Sequence, residues 1–330
     1  MPAIECRSLT KYYGDVRGIE DVSFTVEDGE VFGFLGPNGA GKTTAIRTLL
    51  GFLSPTSGGA ALLGHDATDP GESRAARERI GYLPGDPGLD EDRTAEAFLD
   101  HQAALRGSGS REALVARFGL DESRRIGDLS RGNRQKVALV AAFMHDPDLL
   151  LLDEPTSGLD PLLQEEFAAL VRERVVDGAS VLLSSHVLGE VAALCDRVGV
   201  LREGRLAAVE SVEDLRSRGG KQVRVRVAED VSRGAFEVRG AMNLRVGDTV
   251  SFTWTGGYDA LIDLLDGFTV HDLEIVDAPL EEAFMTFYDG DVPGPGRRDD
   301  ARGARGTEAS APASGTGTDP EKTDADGGDR

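Results

Sequence analysis

The sequence predicts an α/β protein: a mixed-sheet core with an attached helical subdomain, then a small α+β domain, then an unstructured tail. Three observations lead there. Over residues 1–215, short Val/Ile/Leu/Phe runs alternate with longer helical stretches, the pattern of strands joined by helices. After Gly219-Gly220, Val223, Val225 and Val227 alternate with Gln222, Arg224 and Arg226, the period of a half-exposed strand. From Asp291 onward Gly, Pro, Ser, Thr and Asp dominate, too polar to bury a core. At ~150 residues per domain, 330 residues suit about two folded domains.

Taken in order, Val22 to Val26 reads as a strand closed by a turn at Glu27-Asp28-Gly29. Val31 to Leu35 is a short buried strand that runs into a glycine-rich loop and a helix from about Lys42. The helical subdomain is placed at about 86–145, with breaks at Gly107-Ser108-Gly109 and near Gly127. Leu149 to Leu152 and Val181 to Ser184 are further buried strands. The second domain, 220–290, adds a strand at Val250 to Trp254, a short helix at Ala260 to Leu265, a strand at Val270 to Val276 and a helix at Leu280 to Tyr288. The tail, 291–330, is expected to be disordered. The chain carries no internal repeat.

Composition narrows the function. With 36 Lys+Arg against 58 Asp+Glu the net charge is −22, a poor match for a phosphate backbone, so no nucleic-acid partner is expected. Two cysteines, Cys6 and Cys195, exclude a disulfide scaffold or a Cys-rich zinc site. No apolar run approaches the ~20 residues of a membrane span and the N-terminus lacks a signal-peptide pattern, so a cytoplasmic location is expected. Only five basic residues are Lys. High acidity with scarce Lys fits either a salty cytoplasm or a GC-rich genome.

The chemistry begins at Gly36-Pro37-Asn38-Gly39-Ala40-Gly41-Lys42-Thr43, which fits G-x-x-x-x-G-K-[ST] between a strand and a helix. Glycines let backbone N–H groups converge on an anion, and the helix N-terminus adds its positive end. Lys42 should reach the β/γ-phosphates of ATP and Thr43 should ligate Mg²⁺, with Thr44 completing the binding stretch. Leu149-Leu150-Leu151-Leu152-Asp153-Glu154 is an apolar strand ending in two carboxylates. Asp153 can hold Mg²⁺ through water, and Glu154 can orient or deprotonate the attacking water. An apolar strand ending in Asp-Glu is by itself usually structural; 111 residues after the phosphate-loop lysine it acquires a role.

Further residues select a family. Leu129-Ser130-Arg131-Gly132-Asn133, ahead of a helix, resembles the signature motif of ATP-binding cassette (ABC) proteins. Pro155 to Asp160 resembles that family's D-loop, and Ser184-Ser185-His186 its switch histidine. Five motifs in the right order cover about 1–215, so the chain resembles a single ABC nucleotide-binding domain. The resemblance implies the P-loop NTPase fold with an ABC helical subdomain, ATP and Mg²⁺ as cofactors, and catalysis by Glu154 and His186. It also implies that Ser130, Arg131, Gly132 and Asn133 grip the γ-phosphate of a second nucleotide-binding subunit, a homodimer being the simplest case. Ser130 also suits a helix N-cap. Tyr13 resembles the adenine-stacking aromatic, with Tyr12 as the competing candidate. His65, His101, His145 and His271 lack ligand spacing and read as structural or exposed.

The pattern departs from the family in two places: the signature carries Arg131 and Asn133 where the family commonly has Gly and Gln, and a loop glutamine is absent. The family commonly has Gln in the loop joining the core to the helical subdomain, and here Gly81-Tyr82-Leu83-Pro84 is followed by Gly85 and Asp86. The resemblance implies an ATPase powering transport through a separate transmembrane permease docked near residues 80–100, hence peripheral attachment to the cytoplasmic face of the cell membrane. Pro279-Leu280-Glu281-Glu282-Ala283-Phe284 is similar to a segment of multidrug or antibiotic exporter ATPases. The alternatives are a soluble ABC ATPase acting on ribosomes or DNA, and a non-transport regulatory protein that binds ATP.

Overall fold

A computed structural model describes residues 1–278, all within one compact unit. The expected helix at Leu280 to Tyr288, the Pro279–Phe284 segment and the tail expected to be disordered lie outside the described residues. In chain order the elements are β1 (Ile4–Tyr13), β2 (Val16–Val26), β3 (Val31–Leu35), α1 (Lys42–Leu49), β4 (Ser57–Leu62), β5 (His65–Asp66) and α2 (Pro70–Glu78). There follow β6 (Ile80–Leu83), α3 (Ala95–Arg106), α4 (Arg111–Phe118), α5 (Arg131–Phe143), β7 (Leu149–Asp153), α6 (Pro161–Val176) and β8 (Ser180–Ser185). The rest are α7 (Leu188–Leu194), β9 (Arg197–Arg202), β10 (Arg205–Ser211), α8 (Val212–Gly219), β11 (Lys221–Val227), β12 (Ala241–Arg245), β13 (Val250–Trp254), α9 (Tyr258–Leu265) and β14 (Val270–Asp277).

The central sheet has the order β10-β9-β3-β8-β7-β6, parallel except for β10 at one edge. Both faces are covered, which is why its strands read as unbroken apolar runs. Leu150, Leu152 and Leu183 turn into a core shared with α3, α4, α5 and α6. Leu149, Leu151 and Leu182 turn the other way, onto α1 and the antiparallel sheet β2-β1-β4-β5. The register sets Leu35 against Ser185 and Asp153 against Ser184, so three strand ends lie abreast. The loops leaving them converge at the carboxyl edge of the sheet, where open parallel sheets bind ligands.

Two elements depart from the sequence reading. Ile80–Leu83, given no element in the sequence reading, is the edge strand β6 paired with β7. The strand expected at Val22 to Val26 begins at Val16, because it pairs along nearly all of β1. The helical stretch ends α3 at Gly107 and α4 at Gly119, both with positive φ, and makes only a short 3₁₀ turn at Ile126–Asp128.

The third sheet, β12-β13-β11-β14, is wholly antiparallel. Val223 and Val225 are buried while Arg224 and Arg226 are exposed. Its core is its own: those two valines, Phe236, Val250, Phe252, Trp254, Leu261 and Leu265. Among the described residues no helix is long and apolar enough to cross a membrane.

Candidate functional site

The loop from Gly36 to Gly41 joins β3 to α1 and can close only with glycine at its tightest points. Gly41, the residue preceding α1, has φ +106°, and a Cβ there would stand 2.7 Å from the Gly18 carbonyl oxygen. A Cβ on Gly36 would collide with the Leu201 carbonyl oxygen. Pro37, Asn38 and Gly39 are exposed, whereas Ala40 is buried.

Lys42 is buried at the start of α1, and its ammonium donates to the carbonyl oxygens of Gly36 (2.6 Å) and Pro37 (3.3 Å). The same Nζ lies 3.1 Å from Glu154 Oε1. That oxygen is buried without a hydrogen bond, so the Lys42 charge is what offsets its desolvation. Next along, Thr43 Oγ1 donates to Asp153 Oδ2 (2.7 Å), and Ser184 Oγ donates to Asp153 Oδ1 (2.6 Å). Asp153 is thus held at both oxygens by neutral hydroxyls, its orientation fixed without neutralising its charge.

Glu154 has φ +50°, a left-handed conformation that an L-residue adopts at a cost. Its backbone N–H donates to Ser184, to the carbonyl oxygen at 3.2 Å and to Oγ at 3.0 Å, which holds the turn. Glu154 Oε2 then accepts from Nδ1 of the exposed His186 at 2.6 Å. Lys42, Glu154 and His186 form one chain of contacts, and Thr43, Asp153 and Ser184 form a second beside it.

A cavity of about 310 Å³ is lined by Tyr13, Val16, Arg17, Gly18, residues 37–44 and Glu154. It gathers Tyr13, Pro37, Asn38, Gly39, Ala40, Gly41, Lys42, Thr43 and Thr44 around one space. Tyr13 is half exposed at the end of β1, its ring also facing the Lys11 ammonium at 5.5 Å. Tyr12 is not among the lining residues; its hydroxyl faces Glu20. Of the two tyrosines, Tyr13 is the one that lines the cavity.

The signature residues stand elsewhere. Ser130 is the N-cap of α5, its hydroxyl accepting from the Asn133 N–H at 3.3 Å. Arg131 lies along Gly158 and donates to Ser157 Oγ (2.9 Å), while Gln135 donates to the Pro155 carbonyl oxygen (2.9 Å). Arg131 lines a separate cavity of about 620 Å³ with Gly85, Asp86, Leu129 and Arg134. Gly132 is packed so that a Cβ would stand 2.9 Å from the Gly158 carbonyl oxygen. Asp160 is exposed and caps α6 by accepting from the Leu163 N–H. At Gly85 a side chain would begin 3.3 Å from the Asp153 carbonyl oxygen and 3.5 Å from its Oδ2. Any side chain at this position would therefore start against Asp153, which is itself buried. Tyr82 sits nearby, its phenol pushed above the ordinary value by burial, with the Asp153 charge adding to the shift.

Among the described residues, no cluster of three or more His, Cys, Asp or Glu side chains could hold a metal ion unaided. Thr43 and Asp153 offer two hard oxygens at the mouth of the phosphate loop. That set suits Mg²⁺, which keeps several waters and shares its coordination with substrate phosphates. Sequence reasoning missed Ser184 and Gln135 as site residues, together with the Thr156, Ser185 and Glu190 contacts taken up below. Only the two serines next to His186 carried a signal, as part of its motif.

The fold and the cradle define the class, a P-loop nucleotide-binding domain. Residues 19–157 match the family described as ABC transporter. Over 223 residues the chain is 39% identical to the probable multidrug ABC transporter ATP-binding protein YbhF of Escherichia coli (strain K12), covering 65% of this chain and 38% of that protein. It is 39% identical over 210 residues to the ABC transporter ATP-binding protein NatA of Bacillus subtilis (strain 168), covering 61% of this chain and 84% of NatA. A solved ATP binding subunit of an ABC transporter superposes with a TM-score of 0.60 at 33% identity, over 65% of this chain and 92% of the other. The chain belongs to the ABC transporter ATP-binding protein family.

Proposed function

We propose that this chain binds and hydrolyses ATP to drive transport through a separate membrane permease. The observation that carries the reading is the contact chain Lys42–Glu154–His186 beside Thr43–Asp153–Ser184, at the mouth of the Tyr13 cavity. In this reading the adenine stacks on Tyr13 and the phosphates lie in the N–H groups of residues 38–44, with Lys42 turning from the loop carbonyls to the β/γ-oxygens. Thr43 and Asp153 would hold Mg²⁺, which when bound neutralises charge on the β- and γ-phosphate oxygens. Once Lys42 engages phosphate, Glu154 Oε1 is released to accept a proton from the attacking water. His186 holds the other Glu154 oxygen and is placed to meet the γ-phosphate.

A second subunit follows from the position of the signature. Ser130 to Asn133 and Asp160 do not line the Tyr13 cavity, so in this proposal they complete the site of a second copy. The exposed N-terminus of α5 would face that copy's γ-phosphate. The domain boundary at 215–220, the docking of the permease near residues 80–100, export as the direction and attachment to the cytoplasmic membrane face belong to the same proposal. The names of YbhF and NatA support the transporter role.

The test is steady-state ATP hydrolysis by the full chain with Mg²⁺, beside nucleotide binding. Glu154→Gln should lower kcat by about 10² to 10⁴ while leaving ATP affinity within a few-fold. Equal turnover in wild type and variant would overturn the reading.

A further inference from the structure

Glu190, in the first turn of α7, lies outside every motif that identifies the family. Its two carboxylate oxygens are nevertheless both used. Thr156 Oγ1 donates to Oε1 at 2.6 Å, and Ser185 Oγ donates to Oε2 at 2.7 Å. Both hydroxyl residues are buried, Thr156 at 7% exposure and Ser185 fully, so neither hydroxyl has ready access to solvent. Hydrogen bonds to an ionised acceptor are roughly twice as strong as neutral ones.

What matters is where those hydroxyls sit in the chain. Thr156 comes two residues after Glu154, and Ser185 comes one residue before His186. The two side chains meet at 2.6 Å. Glu190 thus closes a ring: the base and the histidine touch on one side, and their chain segments are tied through one carboxylate on the other. Ser185 Oγ also accepts from the Val187 N–H at 2.9 Å, fixing the chain on the far side of His186. The tie adds to the two Ser184 oxygens that hold the Glu154 N–H in its left-handed turn, a conformation that persists only where its surroundings fix it.

We propose that Glu190 is a positioning residue for ATP hydrolysis, holding the Glu154 segment and the His186 segment in register through Thr156 and Ser185. It does not line the Tyr13 cavity; it acts through Glu154. The inference rests on the reading of Glu154 as the base. Misplacing a catalytic group by ~1 Å can cost on the order of 10² in rate.

The test compares four full-chain proteins: wild type, Glu190→Ala, Glu154→Gln and the double variant. Glu190→Ala should lower kcat at least tenfold, with the KM for ATP and the binding of a non-hydrolysable ATP analogue within twofold. In the Glu154→Gln background the same change should cost less than twofold, because the group it positions is already gone. Glu190→Gln keeps the volume and one acceptor oxygen, and should recover part of the loss. If Glu190→Ala does not fold, Thr156→Val, which removes one arm, is read the same way. A kcat within twofold of wild type, or an equal loss in both backgrounds, overturns the role of Glu190. Wild-type turnover in Glu154→Gln would instead overturn the underlying reading.

Discussion

Glu154 was legible as a residue and illegible as a conformation. The apolar strand ending in Asp153-Glu154 pointed to it, and Lys42 came from the glycine spacing. Nothing in the string announces a positive φ at 154 or that Ser184 supplies both the oxygens that hold it. Those contacts join residues 30 apart, and only strand register creates them. His145 shows the same limit. It read as structural or exposed, and only the structure decides between them: Nε2 meets the Ile80 carbonyl oxygen and the ring is mostly buried. Burial, with the Arg106 charge second, lowers its pKa below the ordinary 6.5. The folded state therefore favours the neutral ring, while the unfolded state takes up a proton as pH falls through 6.5. Its stabilising contribution is present above that value and is lost as pH falls toward the depressed folded pKa. His145→Gln should flatten the unfolding free energy as pH falls below the ordinary histidine value of about 6.5, as measured by urea denaturation at several pH values.

At the scale of elements, periodicity found the buried strands and missed the ones that lean on a neighbour. Leu149–Asp153 and Ser180–Ser185 are buried on both faces and stand out as apolar runs. Ile80–Leu83 has four residues including Gly81, and becomes a strand because β7 lies beside it. The start of α5 carries two roles that sequence could not separate. Ser130 caps the helix, and the proposed function also asks its hydroxyl to meet a γ-phosphate. Two substitutions divide them. Ser130→Ala should cost about 1 kcal/mol of stability through the lost cap. Ser130→Asp keeps a capping oxygen and should hold stability within about 0.5 kcal/mol, yet it sets a carboxylate against phosphate and should cut ATP turnover at least tenfold. Thermal unfolding and ATP hydrolysis on both variants check this; full activity in Ser130→Asp would leave the residue as a cap alone.

For the whole molecule, charge and topology dominate. The tail from Asp291 holds nine acidic and six basic residues, so −22 − (−3) = −19 belongs to the first 290. A nucleotide carrying several negative charges must enter against that field. Local N–H groups and Lys42 act at contact distance, whereas the repulsion acts over the screening length. That length falls from ~10 Å at 0.1 M salt to ~3 Å at 1 M. If the acidity is an adaptation to salt, ATPase activity and unfolding free energy should both rise from 0.1 M to 2 M KCl; a flat or falling response would assign the composition to the genome instead. The sequence by itself determined the α/β class, the phosphate cradle, the two carboxylates and the signature, because each is a short contiguous pattern with a local physical cause. The tertiary structure decided which tyrosine faces the cavity, which hydroxyls hold Asp153, how Glu154 is bent toward Lys42 and His186, and that Glu190 ties their segments together. Those facts depend on strand register and packing between distant segments, and no local pattern in a single chain encodes them.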